Sequence, residues 1–270
     1  MKSKLSNIAI YTFLTVTAIF SVFPLFWMTI SATNTSQVVL SGSLLPGLHL
    51  FDNYLALMQN QPVWRAMGNS LSYSLGQTLL ALVICSLAGY GFEIFHTRSK
   101  DRLMSVLLLA MMVPLAATMV PLFQMMGQMG FLNTAMGFVL PSVSTPFLIM
   151  MFRQSARSFP HDIIEAARID GLNELQIFLR MFFPTMRSTY AAAMTITFMN
   201  AWNNYLWPKV IMQTNESMTM PMLTANLMSG YVIDYGMLML AVLLSTLPTV
   251  IIFFILQKSF TEGIAGAVKG

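Results

Sequence analysis

Residues 103–152 read LMSVLLLAMMVPLAATMVPLFQMMGQMGFLNTAMGFVLPSVSTPFLIMMF, a run of 50 positions without a charged side chain. A helix needs about 20 mostly apolar residues to cross the hydrocarbon core of a bilayer. The run is therefore long enough for two such helices, and we expect it to divide near residues 127–134, where glycine and polar residues gather. The stretch predicts that the chain folds in a membrane rather than in water.

The rest of the chain repeats this pattern of apolar runs between clustered charges. Of the 270 residues, 56% are hydrophobic and only 9% are charged, whereas a soluble domain carries roughly 25% charged residues. Four further gaps between charges each have the length of one helix. We therefore predict an all-α membrane protein that forms one domain over residues 1–270. Its six transmembrane helices are expected near residues 7–31, 67–92, 103–126, 136–152, 188–210 and 236–257.

Basic residues indicate the orientation of these helices, because cytoplasmic loops carry an excess of Lys and Arg. With the N-terminus in the cytoplasm, 12 of the 14 basic residues lie on the inner side, and Arg65 and Lys209 lie outside. The inner set comprises Lys2, Lys4, Arg98, Lys100, Arg102, Arg153, Arg157, Arg168, Arg180, Arg187, Lys258 and Lys269. Both termini are therefore expected in the cytoplasm. The most informative inner segment is the loop of residues 153–187.

This loop contains the local signals of two short helices that meet at a turn. Pro160 suits the first turn of a helix, and Gly171 is typical of the position at which a helix stops. Asn173 and Gln176, three residues apart, approximate a capping box that starts a second helix. Pro184 is expected to end that helix before the fifth span.

The two helices would form a compact knob below the bilayer that suits docking. Ala166 and Ala167 leave a shallow helix surface that a partner can approach closely. Glu165, Arg168 and Asp170 carry charges that can orient the partner. The alternative is an ordinary amphipathic loop that lies on the membrane.

The sequence EAARIDG at residues 165–171, followed by Pro184, resembles the EAA loop in the permeases of ATP-binding-cassette (ABC) importers. Other segments resemble the carbohydrate branch of that family, which includes the smaller permease of maltose-type importers. These segments are Asp52-Asn53-Tyr54, Asn69-Ser70, Ala88-Gly89-Tyr90, Pro114, Trp202-Asn203 and the tail from Gly266 to Gly270. The resemblance covers nearly the whole chain. It departs from the family at Leu172, where alanine is usual, and at Met181, where isoleucine is commoner.

The resemblance implies that the loop forms a coupling helix that sits in a cleft of an ATPase subunit and moves when ATP binds. The residues expected at this contact are Glu165, Ala166, Ala167, Asp170 and Gly171, with Lys269 and Gly270 of the tail as a further contact. The sequence contains no phosphate-binding loop of the form G-x-x-x-x-G-K-[S/T]. We therefore expect no catalytic residue, metal or cofactor on this chain, with ATP and magnesium bound by a separate ATPase.

By the same resemblance, the expected assembly is a heterodimer of two permeases with two ABC ATPase subunits and an extracytoplasmic solute-binding protein. Its location would be the bacterial cytoplasmic membrane, in contact with lipid. The net charge of +4 reflects membrane orientation, and no nucleic-acid partner is expected. The family moves sugars, oligosaccharides and glycerol phosphates. A polyanionic substrate would favour basic residues along the path, and the interiors of the spans carry none, which favours a neutral sugar.

Polar residues within the spans are candidates for contact with this substrate, because amide groups and aromatic faces together bind sugars. The candidates in the fifth span are Asn200, Trp202, Asn203, Asn204 and Tyr205. A second set in the second span is Asn69, Ser70 and Gln77. The alternative is that these residues bond neighbouring helices or form an aromatic belt at the membrane surface.

A secondary transporter or channel without an ATPase is the main alternative function. Proton- or sodium-driven carriers usually keep acidic or basic groups inside their spans, and the interiors of these six spans have none. An enzyme is disfavoured because the three histidines lie far apart, at His49, His96 and His161. An ATP-driven permease is therefore the function that the sequence favours.

Overall fold

The computed structural model describes the backbone of residues 2–268 and, within it, the side chains of residues 7–257. Lys269 and Gly270, expected at an ATPase contact, lie outside the described residues. Within residues 2–268 the chain is helical and contains no strand. The helices are α1 Lys2–Ser31, α2 Ser36–Leu40, α3 Leu50–Asn60, α4 Val63–Ile94, α5 Arg98–Ala110, α6 Leu115–Gln128, α7 Ala135–Val139, α8 Pro146–Arg157, α9 His161–Ile169, α10 Glu174–Ile177, α11 Phe183–Thr185, α12 Arg187–Trp202, α13 Leu206–Ile211, α14 Met220–Leu227 and α15 Tyr235–Val268.

Three of these helices are long and apolar enough to cross a membrane on their own, namely α1, α4 and α15. They coincide with the first, second and sixth predicted spans. The third and fourth predicted spans are each a pair of helices bent at a short break, by 100° between α5 and α6 and by 52° before α8. When each bent pair is counted as one span, the described residues contain up to five candidate spans by length and composition. The all-α membrane fold is confirmed, and the complete set of six spans stays a prediction.

Proline residues account for both bent pairs. Pro114 lies in an extended conformation (φ −66°, ψ 138°) between α5 and α6, and it has no N–H with which to continue a helix. Pro146 begins α8, and the residue before a proline is disfavoured in the helical conformation; Thr145 is extended (φ −105°, ψ 128°) and separates the two helices of the second pair. A count of apolar residues does not detect these breaks. The third and fourth spans were therefore predicted as continuous helices, whereas each is divided into two.

The fifth predicted span, residues 188–210, is divided at Asn203 for a different reason. The preceding helix α12 has only 16 residues. The Asn203 side chain donates to the carbonyl oxygen of Met199 at 2.9 Å, and the Asn204 Oδ1 accepts from the Trp207 N–H at 3.4 Å. Asparagine side chains that bond the nearby backbone compete with the helix. The chain therefore restarts as the separate short helix α13.

By its internal contacts the chain forms two compact units. They comprise Met1–Arg65 with Met222–Pro248, and Ala66–Pro221 with Thr249–Gly270. In the first unit Asn53 is buried, and its Nδ2 donates to the carbonyl oxygens of Ala32 and Asn34 at 2.9 and 3.0 Å. These bonds tie α3 to the chain just after α1. The second unit contains the loop helices.

Within the second unit, α4 and α8 approach each other closely at Gly89. A Cβ atom at Gly89 would lie 2.6 Å from the Cβ of Phe152 and 2.7 Å from the backbone N of Arg153. Small residues allow helix backbones to meet in this way. The contact fixes α8 against α4 at the point where the loop of residues 153–187 begins.

We expect Gly89→Val to lower the thermal stability of the purified protein, because the side chain cannot fit unless α8 moves away from α4. Overpacking of this kind costs about 1–3 kcal/mol, which corresponds to a melting temperature lower by roughly 5 °C. Differential scanning fluorimetry in detergent measures this. Gly91→Val is the matched control, since a Cβ at Gly91 meets no atom within 4 Å. Equal losses in the two variants would contradict the close approach.

Candidate functional site

The knob predicted in the loop consists of α9, the turn after it and α10. Pro160 precedes α9 in an extended conformation (φ −62°, ψ 120°), so it lies just before the first turn rather than in it. Gly171 has φ +80°, the left-handed conformation in which glycine ends a helix. Asn173 and Gln176 form the capping box, because each side chain accepts the backbone N–H of the other at 2.9 Å. The prediction of two helices that meet at a turn is confirmed.

The second helix of the loop ends at Thr185, one residue after Pro184 and close to the expected position. It continues through a π-helical turn, Phe178–Phe182, and then through α11 before Met186 separates it from α12. A π turn is a wider coil that occurs mostly as a single turn within a helix. Pro184 lies in the first turn after it, where the missing N–H of a proline is tolerated.

The inner face of the knob packs on itself and on the end of α4. Ile164 and Ala167 are 1% and 4% exposed and share one apolar cluster with Ile177. Tyr90 of α4 lies edge-on to Phe178, with ring centres 5.4 Å apart. Ala167 follows Ile164 by three residues, which places both on one face of the helix. Ala167 is therefore a core residue of the knob, which corrects the expectation that it faces a partner.

The outer face of α9 carries the rest of the predicted contact. Glu165, Ala166, Asp170 and Gly171 are all exposed. Ile169 lies among them and is 86% exposed. Ile169 was not among the residues predicted at this contact. Its apolar side chain lies outside the inward-facing stripe of α9, and that pattern could have indicated its exposure. Ile169 adds an apolar side chain to a face that otherwise carries charges and small residues.

Arg168 is exposed, and it also braces α9 against α10. Its Nε donates to the Glu174 Oε1 at 2.8 Å, and the Tyr90 hydroxyl donates to the Glu174 Oε2 at 3.3 Å. The hydrogen bond to Glu174 holds the pKa of the Arg168 guanidinium above its ordinary value. Glu174 thus joins α9, α10 and the end of α4.

A cluster of charges joins α8, at the base of the loop, to α4 and α5. Arg153 donates from Nε to the Glu93 Oε2 at 3.0 Å and from Nη2 to the Asp101 Oδ1 at 2.5 Å. The side chains of Arg153 and Glu93 are only 12% and 11% exposed. His96 lies 2.9 Å from Asp101, and the exposed Arg157 lies 3.4 Å from Glu93. We call this group the Arg153 cluster; it connects three helix ends at the point where the knob begins.

A cleft of about 360 Å³ in the second unit is lined by amide and hydroxyl groups together with apolar side chains. Gln77 of α4, Asn200 and Asn204 line it together, and Thr145 and Thr197 contribute hydroxyl groups. Gln77 is buried, and its Oε1 has no hydrogen-bond partner within the described part of the chain. No charged side chain among the described residues lines the cleft. The arrangement can exchange hydrogen bonds with a neutral polar solute.

The other pathway candidates of the fifth span do not line this cleft. Trp202 is 1% exposed and stacks on Phe198 with ring centres 5.8 Å apart. It is therefore part of the core, which corrects the expectation of an accessible aromatic face. Asn203 and Tyr205 are exposed at the break after α12. Of the fifth-span candidates, the cleft includes the two asparagines named above.

Asn69 and Ser70, the remaining candidates of the second span, hold the segment between α13 and α14. The Asn69 Nδ2 donates to the carbonyl oxygens of Glu216 and Met218 at 2.7 and 2.9 Å. The Ser70 Oγ accepts from the backbone N–H of Met220 at 2.8 Å. Both side chains thus have a structural role at these positions.

Membrane-crossing helices, a cleft of neutral polar groups and a helical knob define a membrane transport protein. The chain belongs to the family of binding-protein-dependent transport system inner membrane components, whose sequence model matches residues 94–266. The segment EAARIDG at residues 165–171 is the EAA motif typical of this family. In ABC importers of this kind separate subunits hydrolyse ATP, so this chain is the permease component and not the ATPase. Membership of this family supports an ATP-driven permease over the alternative function, a secondary transporter or channel without an ATPase.

Relatives match the chain along its whole length. The lactose transport system permease protein LacG of Rhizobium radiobacter is 43% identical over 269 residues, which is 100% of this chain and 98% of the relative. The arabinooligosaccharides transport system permease protein AraQ of Bacillus subtilis is 32% identical over 270 residues, with 98% and 96% covered. The fold is shared with a chain of a bacterial ABC transporter involved in the import of the acidic polysaccharide alginate. That match has a TM-score of 0.85 at 19% identity and covers 96% of this chain and 98% of the other.

Proposed function

We propose that this chain carries a neutral sugar or oligosaccharide through a binding-protein-dependent ABC importer of the bacterial cytoplasmic membrane. The similarity over the full length to permeases named for lactose and arabinooligosaccharides is the observation that supports this most. The cleft agrees with it, because amide and hydroxyl groups suit sugar hydroxyls and no charged side chain of the described residues lines it. A charged solute would need a counter-charge in such a setting.

The working assembly would pair this chain with a second, different permease, two ABC ATPase subunits and an extracytoplasmic solute-binding protein. The ATPase subunits would bind ATP and magnesium. Residues 1–270 would form one permease domain with six transmembrane helices and both termini in the cytoplasm. The 12-to-2 distribution of basic residues supports this orientation. Lys269 and Gly270 stay proposed as a second contact with the ATPase pair.

Coupling would run through the outer face of α9. Ala166 is small enough for a partner to approach the helix backbone, Ile169 offers an apolar contact, and Glu165 and Asp170 offer charge. A docked α9 would move with the ATPase when ATP binds. Because the inner face of the knob packs on Tyr90, the movement would pass to α4. The helices on both sides of the cleft would then move, and the cleft would change the side of the membrane to which it opens.

Copurification followed by reconstitution tests the proposal. The tagged chain is extracted from its native membrane in mild detergent, and mass spectrometry identifies its companions. An ABC ATPase and a second permease in comparable amounts are expected. Proteoliposomes with internal ATP and external binding protein are then expected to take up lactose or an arabinooligosaccharide but not sn-glycerol 3-phosphate. A chain that purifies alone, or uptake of the anionic solute only, would overturn the proposal.

We expect Asn200→Ala to lower the rate of ATP-driven sugar uptake about tenfold. The loss of one hydrogen bond to the passing sugar costs about 1–1.5 kcal/mol. Uptake into proteoliposomes at a fixed concentration of binding protein measures it. Asn7→Ala is the matched control, since Asn7 of α1 is exposed and does not line the cleft. Equal rates in both variants would show that the cleft is not on the sugar path.

A further inference from the structure

Gln77 lies near the middle of α4, 14 residues after Val63 and 17 residues before Ile94. Because α4 is long and apolar enough to cross a membrane, this position is expected well inside the bilayer. The side chain is 5% exposed, and its Oε1 has no hydrogen-bond partner in the part of the chain that the structure describes. A buried amide oxygen without a partner is unfavourable, and the hydrocarbon core offers no water to bind it. Gln77 is therefore a group that needs a partner from outside the described chain.

Gln77 lines the polar cleft, and its neighbours in the lining have fixed hydrogen-bonding roles. The Thr197 hydroxyl donates its proton to the carbonyl oxygen of Ala193 at 2.7 Å, so towards a solute it acts as an acceptor. The Asn204 Oδ1 accepts from the Trp207 N–H at 3.4 Å, which leaves the Asn204 Nδ2 to donate. The cleft therefore offers acceptors at Gln77 and Thr197 and a donor at Asn204.

We propose that Gln77 is a specificity-determining residue, whose Oε1 accepts a hydrogen bond from a hydroxyl group of the sugar in the cleft. A hydroxyl group both donates and accepts, so the hydroxyls of one sugar match the acceptor at Gln77 and the donor at Asn204. A carboxylate or phosphate group only accepts, and it would set acceptor against acceptor at Gln77 and Thr197. The proposal rests on the proposed function, since it assumes that a sugar passes through this cleft.

A structural hydrogen bond is the competing role, because polar residues in membrane helices often bond their neighbours. Thr78, the next residue of α4, has such a role, since its Oγ1 donates to the carbonyl oxygen of Ser74 at 2.6 Å. The two roles have opposite effects on stability. A structural amide stabilises the permease, whereas an amide retained for a solute lowers stability while no solute is bound. Removal of the amide of Gln77 therefore distinguishes the two roles.

Gln77→Met in the intact importer tests the proposal, because methionine is similar in length but its sulfur accepts hydrogen bonds only weakly. Lactose uptake into proteoliposomes with internal ATP and external binding protein is expected to fall about tenfold. The melting temperature of the sugar-free complex is expected to rise by roughly 2–4 °C, because an unpaired buried amide is removed. Thr78→Val is the matched control, since Thr78 is 1% exposed and does not line the cleft. Its uptake should stay within about twofold of normal.

Normal lactose uptake by Gln77→Met would overturn the proposal. So would a lower melting temperature or the loss of the second permease from the complex, because Gln77 would then bond within the protein.

Thiol labelling tests the position of Gln77 without any uptake. In a Cys85→Ser background, Gln77→Cys is expected to react with a water-soluble thiol reagent, whereas Thr78→Cys is not, because position 77 lines the cleft and position 78 does not. An unreactive position 77, or equal reaction at both positions, would overturn the proposal. The labelling and the melting temperature do not depend on transport. A failure of Gln77 in these two measurements is therefore distinct from a failure of the proposed function, which would appear as an unchanged importer that takes up neither lactose nor an arabinooligosaccharide.

Discussion

Ala166→Arg is expected to abolish ATP-driven uptake, by about 100-fold or more, while the permease still inserts and folds. Ala166 is exposed on the outer face of α9, so the larger side chain has space in the isolated chain. In the proposed assembly it would stand between α9 and the ATPase cleft. An unpaired charge that loses its water at an interface costs roughly 3 kcal/mol or more. The measurements are uptake into proteoliposomes and the amount of ATPase recovered with the tagged chain.

Gln154→Arg is the matched control for this prediction. Gln154 is exposed in the same loop but belongs to α8 and not to α9, so uptake should stay within about twofold of normal. Normal uptake by Ala166→Arg at normal abundance would contradict the docking assignment. Ala167→Arg is not a comparable probe, because Ala167 is 4% exposed and a charge there would enter the core of the knob.

Arg153→Gln is expected to destabilise the permease by roughly 3 kcal/mol. The change leaves the Glu93 carboxylate, which is 11% exposed, without its closest positive partner. The melting temperature should fall on the order of 5–10 °C. Since Arg153 also joins α8 to Asp101 of α5, the base of the knob should loosen and more ATP should be hydrolysed per sugar imported. Thermal unfolding in detergent and the ratio of ATP hydrolysed to sugar imported measure the two effects.

Arg157→Gln separates this effect from a general loss of positive charge. Arg157 contacts the same Glu93 at 3.4 Å, but its side chain is 67% exposed. Exposed ion pairs contribute about 0–1 kcal/mol, so this variant should behave nearly as the unchanged protein does. Equal destabilisation by the two substitutions would show that the Arg153 cluster has no special role.

Local chemistry is the part of the fold that the sequence predicts well. The capping box of Asn173 and Gln176 and the stop at Gly171 depend on residues within a few positions of each other, and the structure has both. Apolar length likewise locates α1, α4 and α15. The break at Asn203 escapes an apolarity count because it comes from hydrogen bonds between side chain and backbone.

Contacts between distant segments could not be predicted from one sequence. Arg153 and Glu93 are 60 positions apart, and nothing near either residue indicates the other. Gln77 and Asn200 share the cleft only because α4 and α12 bring them together. The difference in exposure between Ala166 and Ala167 could be predicted only in part. The three-residue spacing from Ile164 indicates the inward face of α9, and the aromatic rings packed beneath it decide how deeply that face is buried.

Site-directed cross-linking tests whether the outer face of α9 contacts an ATPase subunit in the assembled importer. The chain has one cysteine, the buried Cys85, so Cys85→Ser provides a background in which Ile169→Cys can carry a thiol-linked photoreactive group alone. Irradiation of the assembled importer should join position 169 to an ABC ATPase subunit, identified by mass spectrometry. The same group at Gln154→Cys should give no such product. An importer that hydrolyses ATP yet gives no ATPase adduct from position 169, or equal adducts from both positions, would show that α9 does not dock on the ATPase through this face.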